Sequence, residues 1–186
     1  MKKLLLLIFW LPNILFAQNG YEIDEGNIVV SKVIENVKGS KDEIYGRAKT
    51  YFTRAYVNTS SVIQTDDKEN GLIIAKGLYD NVETFSLGYG KIKAYHIIRI
   101  DIKEGRARII CSASTLISYS PDRAGNESEY RIVDYAPITN KKARAVSKGI
   151  QKKAFDNLIA MMNNSVNSLS EALESGGILN TEKEDW

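Results

Sequence analysis

KIKAYHIIRIDIKEGRARIICSASTLISY, residues 91–119, is the stretch whose reading decides the fold. It divides at Glu104-Gly105 into two runs rich in β-branched and aromatic residues, 91–103 and 106–119, and so reads as a β-hairpin. Successive strand residues point to opposite faces. Ile97 and Ile98 therefore lie on opposite sides of the sheet, as do Ile109 and Ile110. Tyr95, Ile97 and Arg99 share one side. A hairpin apolar on both sides needs cover on one face and leaves an open question about the other.

Working outward, Leu72 to Tyr79 reads as a strand joined to this hairpin by the glycine-rich connection Ser86 to Gly90. Before it, Asp66-Asp67-Lys68-Glu69-Asn70-Gly71 is a turn, entered from a short strand at Val62 to Thr65. A first strand, Asn27 to Val37, carries Ile28, Val29, Val30, Val33, Ile34 and Val37. Ser40 to Glu43 has the form of a capping box, Ser40 and Glu43 each satisfying the other's amide. The helix it opens runs to about Tyr56, with Ile44, Ala48, Tyr51, Phe52 and Ala55 on one face. Residues 120–140 contain Pro121, Gly125 and Pro137 and read as irregular. Past them Ala154, Phe155, Leu158, Ile159, Met162, Val166 and Leu169 recur at helical spacing, in a long amphipathic helix over about 142–175. Gly176-Gly177 stops it. Two helices that each bury one stripe need the same sheet. The expected architecture is α+β: an antiparallel sheet of about five strands with both helices on one face, in the order strand, helix, four strands, helix. One domain occupies 27–176, between a loose polar leader at 18–26 and a charged tail at 177–186.

The chain opens with Lys2 and Lys3, an apolar run from Leu4 to Leu11, and Ile14-Leu15-Phe16-Ala17. That is the three-part pattern of a secretory signal peptide over residues 1–17, with cleavage between Ala17 and Gln18. The alternative, a membrane anchor, needs about 20 apolar residues, more than the run supplies. No cysteine follows the cut to carry a lipid, so the expected product is exported, periplasmic or secreted, with no transmembrane segment after processing. The full chain has 25 Lys and Arg against 23 Asp and Glu. Loss of Lys2 and Lys3 leaves a neutral protein, without the overall field that gathers nucleic acid. Cys111 is the single cysteine, so no intramolecular disulfide forms. Its Ile-Ile-Cys-Ser-Ala context reads as a buried apolar site.

Three pieces together resemble a known family: the helix start Ser40-Lys41-Asp42-Glu43; Ser61 to Gln64 leading into Asp67-Lys68-Glu69-Asn70-Gly71 and Ile73 to Gly77; and the hairpin Ile100 to Arg106. They look like the DUF4468 domain, found in exported proteins mostly of Bacteroidetes. The resemblance covers roughly residues 27–138, and the Asp-Lys-Glu-x-Gly turn is its most specific part. It implies a TBP-like fold, which has the element order given above. It implies no catalytic residue, and a TBP-like chain path does not imply DNA binding.

Individual motifs add little chemistry. His96 is the only histidine, and neither a cysteine pair nor a carboxylate cluster joins it to make a metal site. It reads as a core or surface histidine, with pairing to Cys111 across the hairpin as the reactive alternative. Asp66 to Gly77 fails the calcium-loop pattern, with Lys68 at the third position and Gly77 at the twelfth. Gly88-Tyr89-Gly90-Lys91 lacks phosphate-loop spacing. Lys141, Lys142, Arg144 and Lys148, with Lys152 and Lys153, form a basic cluster at the start of the last helix. It is either a solvated face or a contact for anionic lipid or polymer; cations there oppose the helix dipole. The second sheet face, with Tyr95, Ile97 and Arg99, is either covered by residues 120–140 or open for docking. These residues read as an exported, non-enzymatic binding or structural module of the cell envelope, needing no cofactor. Its partner would be an envelope protein, polymer or lipid surface. The alternative is an envelope enzyme with a site in the sheet–loop cleft near His96.

Overall fold

A computed structural model describes residues 20–56, 59–88, 90–119, 127–131 and 147–175. The hairpin that anchors the reading is present: β5, Gly90–Lys103, pairs with β6, Arg106–Ala113, in the register Ile98 to Cys111 and Ile100 to Ile109. β4, Leu72–Phe85, flanks β5 on its other side. β3, Ile63–Asp67, closes that edge. β2, Asn27–Glu35, lies outside β6, and β1, Glu22–Asp24, lies outside β2. The order is β1-β2-β6-β5-β4-β3, with every neighbouring pair antiparallel.

Among the described residues the sheet has eight strands rather than about five. The fifth expected strand is interrupted at Ser114, so that β6 is followed by β7, Thr115–Tyr119, which pairs with the start of β5. β8, Glu127–Arg131, pairs with β7 inside the segment expected to be irregular. These residues extend the sheet in its own plane. β1 lies in the expected loose leader, turned onto β2 by Glu25 and Gly26 at φ 46 and 82. Two residues in this left-handed region make the tight turn whose twist suits a hairpin.

Helix α1, Lys41–Ala55, starts at the expected capping box: the Glu43 amide donates to Ser40 Oγ at 3.3 Å, and the Ser40 amide to Glu43 Oε2 at 2.7 Å. A one-turn helix α2, Thr59–Val62, follows. α3, Lys148–Glu174, is capped by Ser147. α1 and α3 lie on the same face of the sheet. Ile44, Ala48 and Phe52 from α1 meet Ala154, Leu158, Met162, Val166, Leu169 and Leu173 from α3 over Ile28, Ile73, Ile98, Ile100, Ile109 and Cys111. Burial of this single apolar layer is what fixes the register, since a one-residue slip would turn every strand inside out. The turn before β4 is held from both ends: Asp67 Oδ1 accepts from the Asn70 amide at 3.0 Å, and the Gly71 carbonyl accepts from the Ile102 amide at 2.7 Å.

Candidate functional site

Alternation along β5 separates two chemistries. Ile92, Ala94, His96, Ile98, Ile100 and Ile102 face the helices, while Lys91, Lys93, Tyr95, Ile97, Arg99, Asp101 and Lys103 face the other way. The second set meets Ile74, Lys76, Leu78 and Asp80 of β4 and Arg106, Arg108, Ile110 and Ser112 of β6. Val33 of β2 stands opposite Arg108. Four large apolar side chains stay in the open on this face: Leu78 at 40%, Tyr95 at 49%, Ile97 at 44% and Val33 at 48% exposure. Tyr95 and Leu78 are cross-strand partners, and Ile97 is next along the strand's face.

Cations surround them. Lys76 stands over the Tyr95 ring, Nζ 4.7 Å from its centroid, and Lys93 over that of Tyr119 at 5.9 Å. Lys93 also pairs with Asp80 at 2.8 Å. Asp101 lies between two guanidinium groups, with Arg99 Nη2 at 2.8 Å and Arg108 Nη2 at 2.7 Å. Burial pushes the Asp101 carboxyl up, but the hydrogen bonds from Arg99 and Arg108 outweigh it and hold its pKa below the usual aspartate value. Arg106 Nε pairs with Glu35 at 3.0 Å. Strands β4, β5 and β6 together put Lys76, Lys91, Lys93, Arg99, Lys103, Arg106 and Arg108 on this face against Asp80 and Asp101. By register Glu35 of β2 and Glu127 and Glu129 of β8 lie on the same face, so its charge is mixed, with the cations concentrated on β4, β5 and β6 around Tyr95 and Ile97.

The covered face holds the chemistry expected to be ambiguous. His96 is 2% exposed beneath the helices. Its Nε2 meets Tyr56 Oη at 2.9 Å, its ring stacks on Tyr79 at 3.8 Å, and its Nδ1 has no partner among the described residues. Tyr79 Oη in turn reaches Ser165 Oγ at 2.8 Å and Cys111 Sγ at 3.9 Å. Burial pushes the His96 imidazole down to about 4 and the Cys111 thiol up to about 12, so at neutral pH both are uncharged. The thiol's hydrogen-bond partner is Tyr79, not His96. His96 therefore lies on the opposite side of the sheet from Tyr95, Ile97 and Arg99. The alternative of a cleft site near His96 meets a residue enclosed between sheet and helices. The remainder of the 120–140 segment, apart from β8, lies outside the described residues.

Of the residues singled out from sequence, Tyr95, Ile97 and Arg99 come together on the open face. Lys148 is exposed at the first turn of α3, the helix that lies across the other face, and so does not join them. Lys141, Lys142, Arg144, Ala17 and Gln18 lie outside the described residues, as does the start of the helix expected at about 142. Sequence reading missed Val33, Lys76, Leu78, Arg106 and Arg108 as members of the same face. The signal was present in the alternation Lys76-Gly77-Leu78 and Arg106-Ala107-Arg108, but it needed the inter-strand register to be used. Among the described residues no group of three or more His, Cys, Asp or Glu side chains is placed to hold a metal ion. No described helix is long and apolar enough to cross a membrane.

Residues 31–113, from within β2 to the end of β6, match a family model described as a domain of unknown function (DUF4468) with TBP-like fold. The match is shorter than the 27–138 expected, leaving β7, β8 and α3 beyond it. Two solved structures are similar. A TBP-like protein from Parabacteroides distasonis superposes with a TM-score of 0.65 at 16% identity, over 84% of this chain and 97% of that one. A DUF4468 family protein from Bacteroides ovatus gives 0.61 at 16% identity, over 88% and 94%. At that identity the likeness is one of fold. No curated protein matches the sequence.

Proposed function

For a chain that carries the DUF4468 domain over residues 31–113, we propose that it works as an exported, non-enzymatic binding module whose open sheet face docks an acidic segment of an envelope protein. The observation that carries this reading is the open face itself: Leu78, Tyr95 and Ile97 clustered and exposed amid a ring of cations. An apolar centre with Tyr and Arg, rimmed by charge, is the composition of protein interfaces. Around that centre, on this face of β4, β5 and β6, seven cations meet two carboxylates and favour an acidic partner there, while Glu35, Glu127 and Glu129 stand on the outer strands of the same face. A protein segment suits the face better than a lipid surface. A segment can set its own apolar residues on Leu78, Tyr95 and Ile97 and its acidic residues on the cations beside them, a pattern that matches the mixed face side chain by side chain.

Export rests on the pattern of residues 1–17, and the Bacteroidetes sources of the two similar structures suit a family of exported proteins. The docking test uses a defined probe, a random glutamate–tyrosine copolymer, titrated against the protein at physiological salt. Saturable binding is expected, with roughly tenfold loss in Ile97→Asp, which puts a charge in the centre of the face. Lack of binding, or unaltered binding by Ile97→Asp, contradicts the reading. Tighter binding to anionic vesicles than to the copolymer would make a lipid surface the partner instead.

A further inference from the structure

At the end of the β5–β6 hairpin the open face dips into a depression of about 190 Å³ lined by Val33, Asp101, Lys103, Arg106 and Arg108. Three of its five residues are cations and one is apolar. The single carboxylate, Asp101, is already taken by Arg99 and Arg108, and Arg106 spends one donor, Nε, on Glu35. A guanidinium carries five N–H donors. Arg108 uses Nε and one Nη on Asp101, and Arg106 uses Nε alone. Donors therefore remain on both, on side chains whose orientation these ion pairs fix. The Lys103 ammonium makes no ion pair or hydrogen bond among the described residues. Counting Arg99 and Glu35 with the lining residues, four cations meet two anions, and the depression keeps an excess of positive charge.

We propose that this depression is an anchor for a carboxylate, the group that fixes the register of the acidic segment docked on the face. It rests on the reading of that face as a docking surface and adds the position and chemistry of its charged contact. Planar guanidinium forks match a planar carboxylate in two parallel hydrogen bonds. Lys103 supplies a mobile third donor, and Val33 offers the carboxylate's carbon stem an apolar wall. Asp101 is part of the device: it aligns Arg99 and Arg108 and offsets one of their two charges, so the surplus comes from that pair and from Lys103.

Two probes separate the anchor from the face. Glutarate, a small dicarboxylate, reports on the depression alone, followed through the arginine Nε–H resonances at fixed salt. Saturable shifts at Arg106 and Arg108 are expected. Lys103→Gln should weaken glutarate about tenfold, while Lys103→Arg retains most of the affinity. Lys152→Gln, on α3 and paired with Asp156, should leave it unchanged. The copolymer should lose affinity in Lys103→Gln as well. Glutarate that does not saturate, or equal losses in Lys103→Gln and Lys152→Gln, overturns the anchor. So does inorganic phosphate bound at the same resonances more tightly than glutarate. Copolymer binding that survives Lys103→Gln unchanged overturns the anchor and leaves the docking face standing. Glutarate binding without copolymer binding removes the docking face and leaves a carboxylate pocket.

Discussion

At the scale of the residue, His96 shows how one enclosed group shapes stability. Its imidazole is buried neutral, so the folded pKa lies near 4 against 6.5 for a free histidine. Between those values the unfolded chain takes up a proton that the folded chain refuses. The associated stability is complete above about pH 6.5 and is lost as pH falls toward 4, about 3 kcal/mol in all. Urea midpoints measured from pH 7 to pH 4 should fall for the native protein and fall less for His96→Gln, which cannot titrate. Parallel slopes would place the acid sensitivity elsewhere. Gly77 sits against the same ring: a Cβ there would come within 2.5 Å of His96 Cε1 and 2.9 Å of the Tyr56 ring. Gly77→Ala should therefore destabilise by about 1–3 kcal/mol, the usual cost of overpacking, read from the same melts. The sequence made the burial of Cys111 legible through its apolar neighbours. It did not reveal Tyr79 lying between His96 and Cys111, because that contact joins three strands, β4, β5 and β6, to Ser165 on a helix more than eighty residues from Tyr79.

Elements were read well where a local signal was complete. Ser40 and Glu43 carry both halves of the cap, and α1 begins there. The long helix was legible from its stripe. Leu158 is fully buried against the sheet while Asn164, six residues on, is exposed. Leu158→Ala should then cost about 2–5 kcal/mol, and Asn164→Ala less than about half a kcal/mol. Equal small effects in urea melts would mean that α3 does not pack as described. Elements were missed where the signal was disguised. β1 is three residues long, and its turn carries Glu25 where asparagine, aspartate or glycine usually stands. β8 alternates charged and polar residues with one aromatic, and it lies between segments with turn-forming residues. Neither could build a core by itself; both exist because β2 and β7 offer them an unpaired edge.

At the scale of the whole molecule, one sheet separates two environments. The helices enclose the histidine and the thiol with Tyr56 and Tyr79 on one side, and the other is left charged and partly apolar. That division follows from two helices sharing a face, which the amphipathic patterns made legible. Which charges gather with Tyr95, Ile97 and Arg99 was not legible, because the pairing of β4 and β6 with β5 is non-local. The export reading makes its own prediction: the intact mass of the protein recovered outside the cytoplasm should correspond to a chain beginning at or near Gln18. Precursor held in the membrane fraction by residues 4–16 would contradict it. The docking face is the central claim, and adjacent isoleucines on β5 and β6 report on its two sides. With isoleucine methyl groups labelled, titration with the glutamate–tyrosine copolymer should shift or broaden Ile97 and Ile110 on the open face. Ile98, Ile100 and Ile109, buried under the helices, should stay in place. Shifts confined to the buried set, or none at saturating copolymer, would contradict the account.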